Sequence, residues 1–434
     1  MSQAGTLTAG HNETLEELQL YRRITWRILP LAVICYFFSY FDRINISFAK
    51  SQMQADLGLS DAAYGLAASM FFVGYVLFEV PSSVGLKKYG APGWICRIMV
   101  SWGLATAALM FAYDHYTLYF LRFLVGVMEA GFGPAILFYL ACWFPKKKMA
   151  SINGLFFLSI PFSGAFGAPL AGLILEGMNG VWDLAGWHWL FLMSGLPCVA
   201  LGFVTLWKLD KDIQSARWLS DDEKSFLQSR IVEHKPSGAQ QSMWKVLFTV
   251  EVAVFALIYF IVKLAAYGLN FWMPDLIGKS GFTDLKIVGL LTALPYAFAF
   301  VGMIIVTRYS DRTGDRRAPL AACMLLASVG YLLATLFADN TVLMMAALIL
   351  ATCGSFIAIP LFWAVPQTVF SGLAIASAVA AINSLGQLSG VVAPSMIGFI
   401  NDLTGSKHLG MLSIAPICLV CVFIVLRYVP RKIG

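Results

Sequence analysis

Apolar residues run along this chain in stretches of about 20 or more, separated by short polar turns and without the strict alternation of a membrane-spanning strand. Stretches of that length read as helices that cross a bilayer. Twelve can be marked, at 26–48, 62–84, 94–113, 117–142, 151–176, 188–207, 247–272, 286–307, 319–337, 341–364, 374–399 and 409–428. One long polar segment, 208–246, falls between the sixth and seventh. It divides the chain into two halves of six spans, 26–207 and 247–428, with polar tails at 1–25 and 429–434. Within the polar segment Ser220 and Glu223 stand at capping-box spacing, which predicts a short surface helix starting there. The expected fold class is an all-α membrane protein with twelve transmembrane helices.

Composition agrees with the pattern. Of 434 residues, 59% are hydrophobic and 12% charged, and the mean hydropathy is +0.75. Soluble domains carry roughly 25% charged residues, so no soluble core accounts for this chain. The formal net charge of +6 does not point to nucleic acid, because the basic residues sit in short turns. With both termini on the cytoplasmic side of a cell inner membrane, 23 of the 30 Lys and Arg face the cytoplasm. Four, Lys50, Lys279, Lys286 and Lys407, fall outside, while Arg43, Arg122 and Lys263 lie within spans. The excess of positive charge on the inner side makes that orientation the expectation. The polar stretch Met1–Gln19 has no apolar core with a small-residue cleavage site, so no signal peptide is read there.

Catalytic and metal-binding patterns are missing. The eight cysteines (35, 96, 142, 198, 323, 353, 418 and 421) lie in or at the edges of apolar stretches and read as small packing residues, the Cys418-x-x-Cys421 pair included. The five histidines are scattered, and nothing resembles a phosphate-binding loop. No enzyme activity, cofactor or metal is expected. Asn45-Ile46-Ser47 matches a glycosylation sequon but lies in a span and is discounted.

What stands out against this background is charge inside the spans. Tyr40-Phe41-Asp42-Arg43-Ile44-Asn45 places an acid and a base side by side near the end of the first span. A charge at membrane depth costs a few kcal/mol or more and usually marks function. The fourth span carries Arg122 and Glu129, seven residues apart and so on nearly the same helix face, about 10 Å apart along the axis. Gly126, Gly131 and Gly133 permit close helix contact, and Pro134 is expected to bend the helix. The bland alternative is that these four charges only hold the helices together, which is a poor use of buried ion pairs. The functional one is a site where an anion and a proton compete. Burial disfavours the ionised form of a carboxylate, so it can take up a proton. Arginine stays charged and offers a planar fork to a carboxylate.

The turns Gly85-Leu-Lys-Lys-Tyr-Gly90 and Ser310-Asp-Arg-Thr-Gly-Asp-Arg-Arg317 each follow the second span of their half. They resemble the loop motif of the major facilitator superfamily, although the first copy lacks the usual acid. The resemblance covers residues 22–432 and implies two six-helix bundles around a central cavity, with alternating access by rocking one bundle against the other. Tyr40-Phe-Asp-Arg-Ile-Asn45, Arg122-x6-Glu129-Ala-Gly-x-x-Pro134 and Trp143-Phe-Pro145 narrow it to the anion:cation symporter family, whose members carry sugar acids, tartrate, phthalate and hydroxyphenylacetate. That likeness implies that Arg43 binds the substrate carboxylate, that Asp42 and Glu129 carry coupled protons, that Arg122 pairs with one of those acids, and that Tyr40 adds a hydroxyl to the cavity.

The second half supplies the facing wall. Lys263, Tyr267 and Asn270 recur at i, i+4 and i+7 on the seventh span, one polar stripe on an apolar helix. Lys263 either reaches an interface or meets a second negative group on the substrate; the second reading favours a dicarboxylate. Asn383 and Gln387, i and i+4 on the eleventh span, are donors for hydroxyl or carboxylate, or partners in an interhelical bond. Trp363 is a candidate cavity wall. On one face of the first span, Arg43 is expected toward substrate and Asp42, about 100° around the helix, toward span four. The expected function is proton-coupled symport of an organic carboxylate, a dicarboxylate or hydroxy acid such as tartrate, into the cell by a monomer embedded in lipid. Sodium coupling, anion exchange and transport of an aromatic acid such as phthalate or hydroxyphenylacetate stay open. A drug exporter or a flux-less receptor fits the residues less well.

Overall fold

The computed structural model describes residues 15–232, 249–366, 374–406 and 408–431, and among them every regular element is a helix. Eleven helical stretches are long and apolar enough to cross a bilayer. The remaining expected span, the eleventh, is built from two shorter consecutive helices, Ala374–Gln387 and Ser389–Thr404. The protein is an all-helical membrane protein of twelve spans in two halves.

The first helix runs Leu15–Leu57, 43 residues. At 1.5 Å per residue it is roughly 65 Å long, about twice the hydrocarbon thickness. Hydropathy marked only its apolar part; the polar N-terminal turns continue as helix beyond it. Side chains tie that overhang to the surface helix Asp221–Val232. Arg23 pairs with Glu223, and Arg230 Nη2 donates to Glu17 Oε1 at 3.3 Å. The capping box is reciprocal: Ser220 N donates to Glu223 Oε2 at 2.9 Å and Glu223 N donates to Ser220 Oγ at 3.3 Å. Burial pushes the Glu223 carboxyl up, but the Ser220 N–H and the Arg23 guanidinium hold it below the usual glutamate range. Residues 233–248, which hold the rest of the expected linker and the first two positions of the expected seventh span, lie outside the described residues, as does Lys407.

The fourth span is broken in the middle. One helix ends at Glu129 and the next begins at Phe132. The expected bend at Pro134 is not where the break lies. Gly131 makes it by adopting φ +85°, which a side chain would disfavour, and an added Cβ there would sit 2.3 Å from Ser82 Oγ. Pro134 falls in the first turn of the restarted helix, where no N–H is needed from it. The other spans are Asp61–Tyr89, Ala91–Ala108 with a closing 3-10 turn Leu109–Phe111, Lys146–Phe157 with Ser159–Gly177, Gly186–Lys208, Val250–Lys279, Leu285–Thr313, Arg317–Leu336, Thr341–Trp363, and Leu409–Leu412 with Ile414–Tyr428.

The two halves meet along paired helices, the second span on the eleventh and the fifth on the eighth. Glycine allows the closest approach: a Cβ on Gly65 would lie 2.4 Å from the Pro394 carbonyl oxygen, and one on Gly289 would lie 2.5 Å from that of Ala168. The basic turns share one end of the molecule. At the opposite end a cluster of charges joins the halves. Lys50, 1% exposed, places Nζ 2.8 Å from Asp61 Oδ1 and 2.6 Å from Asp275 Oδ2. Lys279 Nζ lies 2.8 Å from Asp275 Oδ2 and 3.9 Å from Asp61 Oδ2. Lys50 also sits 4.0 Å from the Trp272 ring centroid. Asp402 accepts the N–H groups of Asp61 at 3.2 Å and Ala62 at 2.9 Å, at the N-terminus of the second span, where an anion is favoured. Lys50 and Lys279, which the sequence places in exterior turns, are thus paired parts of an inter-half contact.

Candidate functional site

Helical geometry puts Ser39 and Arg43, i and i+4 on the first span, on one face, and both reach the same acid. Arg43 Nη2 donates to Glu129 Oε1 at 2.5 Å, and Ser39 Oγ donates to the same oxygen at 2.9 Å. Glu129 ends the first helix of the broken fourth span, so it sits at the negative end of a helix dipole. A cation there offsets the clash.

Close packing of the second and fourth spans then builds an aromatic floor. A Cβ on Gly126 would fall 1.9 Å from the Phe71 carbonyl oxygen, so only glycine lets these helices touch. The contact leaves the Phe71 ring under two guanidiniums, with Arg43 Cζ and Arg122 Cζ each 5.2 Å from its centroid. Tyr75, one turn on, carries Arg43 at 5.4 Å. Cations over ring faces are attracted to them, more so when desolvated.

Arg122 does not pair directly with Asp42 or Glu129. It is fully buried, and Nε, Nη1 and Nη2 have no hydrogen-bond partner among the described residues. Although Arg122 and Glu129 share a helix face, the arginine from the neighbouring helix has taken the acid. Asp42 also differs from expectation. It turns away from span four, toward the third and sixth spans, where Oδ2 accepts from Trp102 Nε1 at 2.6 Å and from Cys198 Sγ at 3.3 Å. Asn45 Nδ2 approaches Asp42 Oδ1 at 3.5 Å and donates to Ser194 Oγ at 2.9 Å. The rotation between neighbours on a helix is as expected, but it is Arg43 that faces span four.

The second half meets this cluster through hydroxyl and amide groups. Asn270 Nδ2 donates to Tyr40 Oη at 2.6 Å and Tyr296 Oη donates to Asn270 Oδ1 at 2.6 Å, a chain that crosses between halves. Tyr40 is thereby engaged in an inter-half bond. Tyr267 Oη donates to Gln387 Oε1 at 2.7 Å, joining two expected ligands to each other. Lys263 is buried among the helices, which rules out reach to an interface, and its Nζ lies 4.5 Å from the Tyr267 ring centroid. It lies within electrostatic range of Arg43 and has no acidic partner at ion-pair distance among the described residues. Trp363 packs edge-on against Tyr259 at 4.8 Å. Asn383 Nδ2 donates across the halves to Glu79 Oε1 at 3.3 Å.

Arg43, Glu79, Lys263 and Gln387 each keep 6–8% of their surface exposed, whereas Arg122 and Glu129 keep none. The first four, two from each half, keep slight access to solvent, while the last two keep none. Sequence reading passed over Ser39, Phe71, Tyr75, Tyr296 and Trp102, whose residue types are ordinary in apolar helices, and took Cys198 for a small packing residue. It also passed over Glu79, an acid inside the second span that did carry a signal.

Comparison with known proteins places this geometry. Residues 32–394 match the Major Facilitator Superfamily. The chain is 38% identical over 416 residues, 95% of each chain, to the "Putative metabolite transport protein NicT" of Pseudomonas putida. It is 40% identical over 412 residues, 94% of each chain, to a "Putative tartrate transporter" of Agrobacterium vitis. Its fold is similar to that of the xylose transporter XylE from E. coli in a partially occluded inward open conformation, with a TM-score of 0.75 at 10% identity, covering 94% of this chain and 99% of that one. A twelve-span helical chain with two halves, matched over most of its length by that family's sequence pattern and by transporters, belongs to the Major Facilitator Superfamily and is a membrane transporter.

Proposed function

We propose that the protein is a secondary active transporter that brings an organic carboxylate into the cell with protons, by alternating exposure of the space between its halves. One observation carries this reading: Arg43, at the edge of that space, is held at 2.5 Å by Glu129, an acid that a proton neutralises. With Glu129 ionised, part of the arginine fork is occupied. With Glu129 protonated, the fork is open to a substrate carboxylate and can bind it in two-pronged fashion. Arg122, seven residues before Glu129 and without a hydrogen-bond acceptor, offers the acid a second cation. Asp42, in its Trp102 and Cys198 pocket, is the second proton carrier. When the site opens to the less acidic cytoplasm, Glu129 loses its proton, recaptures Arg43 and displaces the anion.

From the other half Lys263, Tyr267, Trp363, Asn383 and Gln387 complete the substrate site, with Tyr40 tied to the seventh span through Asn270. The unpaired Lys263 favours a substrate with a second negative group, in keeping with the tartrate in the name of one relative. The two units that rock are 26–207 and 247–428, the termini are cytoplasmic, the membrane is the cell inner membrane, and one monomer suffices. The test is uptake of tartrate into proteoliposomes under an outside-acid gradient without sodium. We expect accumulation that an uncoupler abolishes. Uptake that ignores the pH gradient but requires sodium or an internal counter-anion removes the coupling.

A further inference from the structure

Glu79 is an acid the charge cluster does not use. It lies on the second span one turn beyond Tyr75, is 7% exposed, and faces the second half. Its Oε1 takes a long hydrogen bond from Asn383 Nδ2, 3.3 Å, and its Oε2 is buried without a partner. No Lys or Arg lies within ion-pair distance of it among the described residues. Arg43, Tyr75, Tyr259 and Tyr267 are the titratable groups within its electrostatic reach, and the Ser384 hydroxyl, beside Asn383, is a second hydrogen-bond donor to it, which leaves Oε2 as the open oxygen. Among the described residues, then, the halves meet around a buried base without an acid partner, Lys263, and a buried acid without a base partner, Glu79, and the two do not pair with each other.

An unpaired buried acid and an unpaired buried base are each costly, and neither is explained by packing. A ligand that is anionic at one end and a hydrogen-bond donor at the other satisfies both. Asn383 narrows the donor. A hydroxyl placed beside it accepts from Asn383 Nδ2 while donating to the open Glu79 Oε2, whereas an ammonium group only donates. A bare carboxylate is repelled by Glu79 and is steered to Arg43 and Lys263. We infer that Glu79 and Asn383 form a hydroxyl-reading subsite, which selects hydroxylated carboxylates over their unsubstituted counterparts. This rests on the carboxylate reading above and assigns a role to a residue that reading leaves idle.

The test uses purified full-length protein and four-carbon diacids that differ only on the two middle carbons: tartrate, malate, aspartate and succinate. Binding is measured by calorimetry for wild type, Glu79→Gln, Glu79→Leu and Asn383→Ala. We expect wild type to prefer malate or tartrate to succinate by about 10- to 100-fold, the scale of one or two satisfied hydrogen bonds. Glu79→Leu should bring that ratio to within about threefold by removing the acceptor, with succinate affinity held or improved. Glu79→Gln should fall between, because its amide oxygen still accepts. If Glu79→Leu does not fold, Asn383→Ala and Glu79→Gln carry the same comparison. Unchanged ratios in the variants, no discrimination by wild type, or preference for aspartate over malate each overturn the hydroxyl assignment. Failure of wild type to bind any of the diacids or any other carboxylate overturns the underlying reading with it.

Discussion

Two buried charge clusters in this transporter differ in what they join and in how completely they are satisfied. Arg43 and Glu129 belong to one half. Around them Arg43 Nε, Glu129 Oε2 and all three Arg122 side-chain nitrogens stay without a hydrogen-bond partner among the described residues. At the far end Lys50 bridges the halves, with a carboxylate from each and the Trp272 ring against it. The far-end lysine has everything its ammonium needs; the arginines of the first cluster do not. A well-satisfied cluster across an interface holds one arrangement of two bodies. An under-satisfied cluster within one body holds groups in readiness for something that is not protein. On the function proposed above, the difference separates the part that sets conformation from the part that meets substrate.

The largest expected effect tests that division directly. Arg43→Ala should lower carboxylate affinity by at least about 100-fold, because it leaves Glu129 buried without its cation as well as removing the fork. Lys50→Met should leave the affinity of the site, once exposed, within a few-fold. Calorimetry on both variants makes the comparison, and equal losses would erase the distinction between the clusters. Next comes Glu129→Gln, a neutral mimic of the protonated acid. It should keep substrate binding and exchange while uphill accumulation falls to background. Normal concentrative uptake in that variant removes Glu129 from the proton path.

The far-end cluster should show itself in populations. Asp275→Asn takes away the closer of the two acids that both lysines approach and leaves Lys50 with Asp61 alone. The closed far end should lose roughly 10- to 100-fold in its population ratio, the scale of one weakened buried pair. A distance measurement between spin labels on the turn at 58–60 and the turn at 280–284 reads it. A distribution identical to wild type would mean that the glycine-mediated helix seams, not the charges, hold that end shut.

The sequence made one of these clusters far more legible than the other. Arg43, Glu129, Arg122 and Lys263 stand out because a charge flanked by apolar residues has few structural reasons to exist. Which of them pair does not stand out. Spacing put Arg122 and Glu129 on one face, but only the packing of the first span on the fourth decides that Arg43 takes the acid. Asp42 was visible; Trp102 and Cys198, which receive it, look like any other apolar-helix residues. Lys50, Asp61, Asp275 and Lys279 all lie near helix ends, where charge is ordinary, and nothing local says that three spans converge there and bury Lys50. The span count and the capping box at Ser220 rest on local patterns, and these carried over. The break in span four was misplaced because a proline is a stronger written signal than the glycine that makes the turn.

Within the far-end cluster a finer comparison gives the smallest effect. Lys279 shares Asp275 with Lys50, and its Nζ is 2.8 Å from that acid, nearly as close as Lys50. The two lysines nevertheless differ in exposure. The Lys279 side chain is 25% exposed against 1% for Lys50, and its link to Asp275 is an i, i+4 contact within one helix. Water and salt screen an accessible pair, so it contributes about 0.3–0.5 kcal/mol, and an intrahelical contact survives in either conformation of the halves. Only its 3.9 Å approach to Asp61 spans the halves. Lys279→Gln should therefore shift the far-end population by no more than about twofold, and raising salt should reduce even that. The same distance measurement decides it. A Lys279→Gln shift as large as that of Asp275→Asn would mean that burial does not set the strength of these contacts, and that the four charges act as one unit in which no member can be ranked.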